Sequence, residues 1–304
     1  MRTRNRRKNS TGRDVSANRP NTGGDPDVSR RSILAAAAAG ATAAVVKISG
    51  TEAQAQTANK TTYVLVHPAW HGGWCWKKVT PLLRARGHDV YTPTLTGLGE
   101  RSHLAHPEIG LETHIQDVVN VLKYEDPGRA ILVGHSSSGA VITGVADRVP
   151  EQLAHLVYLD AFVPADGQAM MDIIPPERRQ GMEQRVQAEG RGWLLPSLAP
   201  APWDQFLREA WRITDEADRG WMLARLTPTP FKVFKDPVHR SNPAAEKLPR
   251  TFIRCLQWPN PMFDRYAATA RETAGWRYRE LPTSHEPFVT HPQDLTNLLL
   301  EAAA

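Results

Sequence analysis

The chain has 304 residues, of which 41% are hydrophobic, and its formal net charge is +5 at neutral pH. Residues 1–31 hold nine arginines and lysines against three aspartates, whereas from Gln56 onward 27 basic and 28 acidic residues nearly cancel. A basic surface for nucleic acid is therefore unsupported. The length suits one large α/β domain with insertions, or two ordinary domains.

The first 55 residues have the pattern of an export signal. The basic leader ends in the paired arginines Arg30 and Arg31, an apolar run follows over residues 33–46, and Ala53-Gln54-Ala55 forms a cleavage site. We predict a twin-arginine-type signal peptide over residues 1–55 and export to the periplasm or the medium. The alternative is a disordered tail with a membrane anchor, but the apolar run is shorter than the ~20 residues of a spanning helix, so stable membrane insertion is not expected.

Strand and helix patterns alternate through the rest of the chain. Continuous apolar runs predict strands buried on both faces, as in parallel sheets, and runs with a 3.6-residue period predict the helices between them. We therefore predict an α/β fold with a mostly parallel, doubly wound sheet, whose ligand site lies beyond the carboxyl ends of the strands. The predicted strands are residues 61–66, 89–95, 130–133, 153–159, 250–255 and 276–281, and the helices 76–86, 111–123, 261–271 and 292–302.

Residues 131–141 (ILVGHSSSGAV) carry the strongest motif. A strand, a tight turn and a helix made of small residues place Ser136 at the bend, as in the nucleophile elbow G-x-S-x-G. Ser138 stands where the second glycine is usual, and Gly139 follows it. The alternative is an ordinary Ser/Gly-rich turn without chemistry.

Residues 164–248 differ from the rest of the chain. They contain Met170, Met171, Met182, Met222, Trp193, Trp203, Trp211 and Trp221, with helical stretches and no convincing strand. We predict a helical cap inserted between two segments of the core, residues 56–163 and 249–304. Met and Trp suit an apolar pocket wall, although each of them can equally fill the core of the cap itself.

Cofactor and metal signals are missing from the sequence. The only cysteines, Cys75 and Cys255, lack metal-site spacing, and we interpret them as buried small hydrophobic residues, although their pairing stays open. No dinucleotide-binding glycine pattern appears, so no cofactor is expected.

Four segments, VHPAWHGGWCW, GHSSSGAV, LVYLDAFVP and ELPTSHEPFV, resemble the α/β-hydrolase branch that contains plant methylesterases, hydroxynitrile lyases and small bacterial esterases. The resemblance covers about residues 60–302. It implies the α/β-hydrolase fold, with Ser136 as the nucleophile and His285, in the loop after the last strand, as its general base.

The resemblance also implies how the substrate is held. It assigns the oxyanion hole to the backbone N–H groups of Ala69 and Ser137. Pro68, which replaces a glycine usual in the family, and Trp70 are expected to shape the acyl side, and Trp258 to contact the substrate. The remaining histidines of these motifs, His67, His71 and His135, are expected to be structural.

The catalytic acid is the main departure from the family pattern. The family usually places it just after the strand at residues 250–255, but the following segment, LQWPNP, contains no carboxylate. Asp160, at the end of the strand that follows the elbow helix, is the leading candidate, since some relatives place the acid there. Asp264 and the absence of any acid remain alternatives.

These assignments predict hydrolysis of a carboxylic ester, lactone or carbamate through an acyl-Ser136 intermediate, with a small apolar or aromatic substrate as the partner. A hydroxynitrile lyase is the first alternative, but Glu286 follows His285 where those lyases carry a lysine, and an anion there disfavours cyanide release. The second alternative is a relative that only binds its ligand. The sequence leaves the oligomeric state open.

Overall fold

The computed structural model describes residues 60–197 and 200–303. The chain divides into two units, Met1–Gln54 and Ala55–Ala304, and the described residues belong to the second. The predicted signal peptide lies outside the described residues. Within them, no helix combines the length and apolar character needed to cross a bilayer.

The predicted parallel sheet is present. Six strands pair in the order β2-β1-β3-β4-β7-β8, all parallel, and a separate antiparallel pair joins β5 to β6. In the described part of the chain the strands are β1 (Thr62–Val66), β2 (Asp89–Tyr91), β3 (Ala130–His135), β4 (Leu153–Leu159), β5 (Leu194–Leu195), β6 (Thr229–Pro230), β7 (Arg250–Cys255) and β8 (Trp276–Leu281). The strand predicted over 89–95 ends early, because Pro93 cannot donate to the sheet.

Helices cover both faces of this sheet, and further helices lie in the segment between β4 and β7. The described α-helices are α1 (Thr80–Arg84), α2 (Leu111–Glu125), α3 (Ser138–Arg148), α4 (Met170–Ile173), α5 (Pro176–Ala188), α6 (Pro200–Glu209), α7 (Glu216–Leu223), α8 (Lys232–Lys235), α9 (Pro243–Glu246), α10 (Pro261–Glu272), α11 (Pro287–Thr290) and α12 (Pro292–Glu301). Residues of α2, α3 and α10 pack on one face, and residues of α1 and α12 on the other.

Strand β1 shows why the apolar runs fold as they do. Val64 and Val66 enter the core under α2 and α3, whereas Tyr63 and Leu65 enter the core under α1 and α12. Successive side chains of a strand point to opposite faces, so a strand covered on both faces must be apolar throughout. This accounts for the sequence TYVLV, whose residues are all buried.

The segment between β4 and β7 contains α4 to α9, and it also contains the β5–β6 pair, so the expectation of no strand there was wrong. Each of these strands has only two residues and β6 ends in a proline, which leaves no alternating pattern to detect. The boundaries predicted for the cap, 164–248, stay a prediction.

Strand order determines where a site can form. The chain runs outward from β1 to β2 in one direction and to β3 and β4 in the other, which opens a crevice between the loops that follow β1 and β3. The segment from His67 to Ala69 and the turn at Ser136 flank this crevice, and Asp160 follows β4 directly. The loop after β8 brings His285 to the same edge.

Candidate active site

Ser136 lies in a strained turn between β3 and α3. Its φ is 54°, in the left-handed region that few non-glycine residues adopt. Its backbone N–H donates to the Leu159 carbonyl at 3.2 Å, and its carbonyl accepts from the Phe162 amide at 3.0 Å. These bonds to the neighbouring β4 segment hold the turn and leave the Ser136 side chain at the edge of the sheet.

Small residues around Ser136 allow this close approach. A Cβ on Gly139 would lie 2.0 Å from the Phe162 carbonyl oxygen, and one on Gly134 would lie 2.6 Å from the Ser138 oxygen, so neither glycine can be replaced without a shift of backbone. Ser138 is tolerated at the usual glycine position, where its hydroxyl donates to the His67 carbonyl. The departure from G-x-S-x-G is therefore accommodated.

The structure brings Ser136, His285 and Asp160 into one hydrogen-bonded chain. His285 Nε2 lies 3.0 Å from Ser136 Oγ, and His285 Nδ1 lies 2.7 Å from Asp160 Oδ2. Asp160 is fully buried and His285 is 3% exposed. This is the geometry in which a carboxylate orients an imidazole toward a serine hydroxyl.

Asp160 is held by a second set of donors on its other oxygen. Oδ1 accepts from the Arg254 guanidinium at 2.7 Å and from the Cys255 amide at 3.2 Å. Asp264 instead lies on α10 with its side chain 58% exposed, and it pairs with Arg254 at 2.9 Å rather than with His285. Of the two candidate acids, the structure brings only Asp160 to the histidine.

Arg254 is a site residue that the sequence analysis missed. It is buried within β7 and bonds to both aspartates and to the carbonyls of Cys255 and Trp258. A detectable signal existed, because an arginine inside the apolar run RTFIRC can be buried only with partners.

Burial controls the protonation of the histidine. It lowers the pKa of His285 well below its usual range, and the nearby His71, Arg254 and Arg178 act in the same direction. Burial also raises the pKa of Asp160 to about 7, whereas Arg254 and the Cys255 amide lower it. When Asp160 is ionised and neutral His285 carries its proton on Nδ1, facing that carboxylate, Nε2 can accept the Ser136 proton.

The loop after β1 lies against the turn at Ser136, but the Ala69 N–H group, which was predicted to donate to the oxyanion, already donates to a side chain of the protein. The Ala69 amide donates to Ser137 Oγ at 2.8 Å, whereas the Ser137 amide has no acceptor in the described part of the chain. The next residue, Trp70, has a φ of 65°. Its amide donates to Thr229 Oγ1 at 2.8 Å and its indole to the Leu195 carbonyl at 3.3 Å, which ties this loop to the β5–β6 pair.

A cavity of about 210 Å³ opens beside Ser136 and His285. Trp70 and Trp258, two of the predicted substrate contacts, line it, and the Trp258 ring centroid is 3.9 Å from that of His285. The remaining lining is mostly apolar: Ala69, Phe162, Ile174, Met182, Leu195, Trp203, Phe206, Trp211, Phe234, Met262 and Phe263, with Ser137, Arg178, Arg185 and Asn260 as the other polar members.

Pro68 is not among these residues, and its contact with the substrate stays a prediction. It is buried, and its carbonyl accepts from His67 Nδ1 at 2.8 Å and from the His71 amide at 3.4 Å. These two bonds fix the loop around the proline. Among the methionines and tryptophans noted in the inserted segment, Met182, Trp203 and Trp211 reach the cavity and the others do not.

The three histidines expected to be structural, His67, His71 and His135, are all buried. His67 bonds the Leu95 amide at 3.0 Å, and His71 bonds the Ala69 carbonyl at 2.8 Å, so both support the loop. The side chains of His135 and Glu286 have no hydrogen-bond partner in the described residues. Burial raises the pKa of Glu286 well above its usual range, which favours the neutral acid.

Ligand atoms of His135, His285 and Glu286 lie within 4.8 Å of one another, close enough to be tested as a metal site. Both ring nitrogens of His285 are already bonded, to Ser136 and to Asp160. A metal on this histidine would break the Ser-His-Asp chain, so the donor set does not fit a resident ion.

Known esterases are similar in sequence to this chain, one of them along most of its length. A carbendazim-hydrolyzing esterase of Nocardioides sp. (strain SG-4G) is 35% identical over 245 residues, which are 78% of this chain and 97% of that protein. Methylesterase 1 of Arabidopsis thaliana is 34% identical over 116 residues, 34% of this chain and 41% of that protein.

The fold has close structural counterparts as well. A crystal structure of a pyrethroid hydrolase from Sphingobium faniae JZ-2 superposes with a TM-score of 0.64 at 27% identity, covering 80% of this chain and 98% of that one. Residues 63–298 match the alpha/beta hydrolase family. With the parallel sheet and the strained turn at Ser136 in place, this match shows that the chain belongs to the alpha/beta hydrolase family.

Proposed function

We propose that this protein is a serine esterase that cleaves a carboxylic ester through an acyl-Ser136 intermediate. The observation that carries the proposal is the buried chain from Ser136 through His285 to Asp160, with contacts of 3.0 and 2.7 Å, beside an apolar cavity. The named relatives, which are esterases and hydrolases, support the same reaction.

The geometry supports the following steps. His285 Nε2 takes the proton of Ser136 as Oγ attacks the ester carbonyl, and Asp160 stabilises the imidazolium that forms. The negative charge on the carbonyl oxygen develops next to the Ser137 amide, which is free to donate. His285 then returns the proton to the leaving alkoxide, and a water molecule, activated by the same nitrogen, hydrolyses the acyl-enzyme.

The cavity supports a small apolar or aromatic substrate. Its walls carry several aromatic rings, among them Trp70, Trp203 and Trp258, which favour planar apolar groups through stacking and burial. Lactones and carbamates present the same electrophilic carbonyl and remain within the proposal. The lyase and binding-only alternatives receive no support from the named relatives.

The experiment is turnover of a panel of p-nitrophenyl and aryl methyl esters, with Ser136→Ala as the matched control. We expect the wild-type protein to hydrolyse at least one ester and the variant to lose activity by at least about 10³-fold. A folded wild-type protein that cleaves no ester, lactone or carbamate would refute the proposal. Equal activity in the variant would refute the role of Ser136.

We also propose that residues 1–55 direct export through the twin-arginine route. The paired arginines, the short apolar run and the Ala-x-Ala site support this. Expression of the full chain followed by cell fractionation and N-terminal sequencing tests it. We expect a mature protein that begins at Gln56, and retention in the cytoplasm when Arg30 and Arg31 are both replaced by lysine.

A further inference from the structure

The hydroxyl of Ser137, the residue that follows the nucleophile, is hydrogen-bonded at the wall of the cavity. It is 6% exposed, lines the cavity with Ser136 and His285, and its oxygen accepts the Ala69 amide at 2.8 Å. A hydroxyl that accepts one hydrogen bond still has a proton to donate. Within the described residues, that proton has no acceptor.

The neighbouring serine provides the contrast. Ser138 is also buried, at 1% exposure, and its hydroxyl donates to the His67 carbonyl, so its proton is already used. Ser138 does not line the cavity. Two adjacent hydroxyl groups therefore have opposite roles: one is satisfied inside the protein, and the other keeps a free proton beside the nucleophile.

We propose that the Ser137 hydroxyl is a side-chain donor of the oxyanion hole. It accepts the Ala69 N–H and donates its own proton as a hydrogen bond to the substrate carbonyl oxygen while charge develops there. No proton is transferred from Ser137, and the bonds that form and break are those of the acylation step. The inference rests on the proposed esterase function.

The physical basis is preorganisation. The Ala69 amide fixes the position of the Ser137 oxygen, so the hydroxyl needs no reorientation of the backbone when the substrate reacts. A hydroxyl that already accepts a hydrogen bond is also a stronger donor, because the two bonds polarise each other. The Ala69 amide thus helps to stabilise the charge on the substrate oxygen indirectly, because it donates to the Ser137 hydroxyl that donates to that oxygen.

The opposite role is inhibitory. In that case the Ser137 hydroxyl occupies the Ala69 N–H group and keeps it from the substrate oxygen until the substrate displaces the hydroxyl. The two roles predict opposite effects of removing the hydroxyl. If Ser137 is a donor, its loss slows acylation. If the hydroxyl is inhibitory, its removal frees the Ala69 amide and speeds acylation.

The test uses Ser137→Ala, the conservative Ser137→Thr and the control Ser138→Ala in the full chain. Three quantities are measured: kcat and KM on the best p-nitrophenyl ester, the inhibition constant of a trifluoromethyl ketone that forms a tetrahedral adduct, and the thermal midpoint. We expect Ser137→Ala to lower kcat by about 10²- to 10³-fold with little change in KM, and to raise the inhibition constant of the ketone by a similar factor.

We expect Ser137→Thr, which keeps a hydroxyl, to recover kcat to within about tenfold of wild type, and Ser138→Ala to lower the thermal midpoint without a comparable loss of kcat. Unchanged or increased kcat in Ser137→Ala would overturn the proposal. So would a loss of kcat without weaker ketone binding, because that pattern indicates a purely structural role.

Failure of the underlying function is recognised separately. Labelling of wild-type Ser136 by a fluorophosphonate reports the nucleophile and the oxyanion hole without any ester substrate. Labelling that slows in Ser137→Ala supports the inference even if no ester is turned over. A wild-type protein that is neither labelled nor active on esters would overturn the function and the inference together.

Discussion

Asp160→Asn is the substitution that tests the site most directly. Oδ1 of Asp160 accepts from Arg254 and from the Cys255 amide, so the asparagine must keep its carbonyl oxygen on that side. Its NH₂ group then faces His285 Nδ1, which can only accept from it. The proton of a neutral His285 must move to Nε2, and this nitrogen can no longer take the proton of Ser136.

The magnitude follows from the tautomer. Locking a catalytic histidine in the wrong tautomer lowers kcat by about 10⁴-fold, which corresponds to roughly 5.5 kcal/mol of transition-state stabilisation. The fold should survive. Residue 160 has a φ of 42°, which asparagine adopts readily, and Arg254 keeps Asp264 and two carbonyls as partners. We expect a loss of unfolding free energy of about 1–3 kcal/mol.

The assay is steady-state hydrolysis of a p-nitrophenyl ester, with the unfolding free energy measured in parallel by denaturant. Asp264→Asn is the matched control, because Asp264 pairs with the same arginine but is exposed and does not contact His285. We expect its kcat to stay within about threefold of wild type. A large loss in Asp264→Asn together with a kcat for Asp160→Asn within tenfold of wild type would refute the assignment of the acid.

Three other results are expected. Glu286 has no hydrogen-bond partner in the described residues, its carboxylate lies 3.9 Å from His71 Nε2, and burial raises its pKa above the ordinary 4.5. Its stabilising contribution is therefore complete below pH 4.5 and is lost as the pH rises toward the folded pKa. Glu286→Gln should gain stability over wild type between pH 5 and pH 8 in denaturant titrations, and a constant difference would contradict this. Because His285 and Asp160 share a hydrogen bond, they titrate as a pair, and the first proton that this pair binds removes the ionised form needed for catalysis. Burial raises the pKa of Asp160 to about 7, so the acid limb of kcat/KM should lie near pH 7, and a limb below pH 5 would contradict this. Trp258→Leu should raise KM for aryl methyl esters more than for methyl acetate, because the Trp258 ring lines the cavity beside His285. An equal rise in KM for both substrates would argue against an aromatic contact.

Much of the fold could be predicted from local pattern. Strands buried on both faces must be apolar throughout, and short loops between strand and helix require parallel neighbours, so the sheet could be recognised without coordinates. Small residues around Ser136 and the place of His285 after the last strand are equally local signals. The predicted fold and family are confirmed by the structure and by the match over residues 63–298.

Contacts between distant parts of the chain decided the rest. Asp160 and His285 are 125 positions apart, and both candidate acids pair with Arg254, so only their placement shows that Asp160 bonds the histidine and Asp264 faces solvent. Likewise, no sequence pattern reveals that Trp70 and Trp258 line the cavity whereas Pro68 does not. The sequence alone therefore determined the six strands of the parallel sheet, the turn at Ser136 and the chemical groups, because these depend on neighbouring residues. Which of those groups meet was decided only by the packing of the loops at the sheet edge.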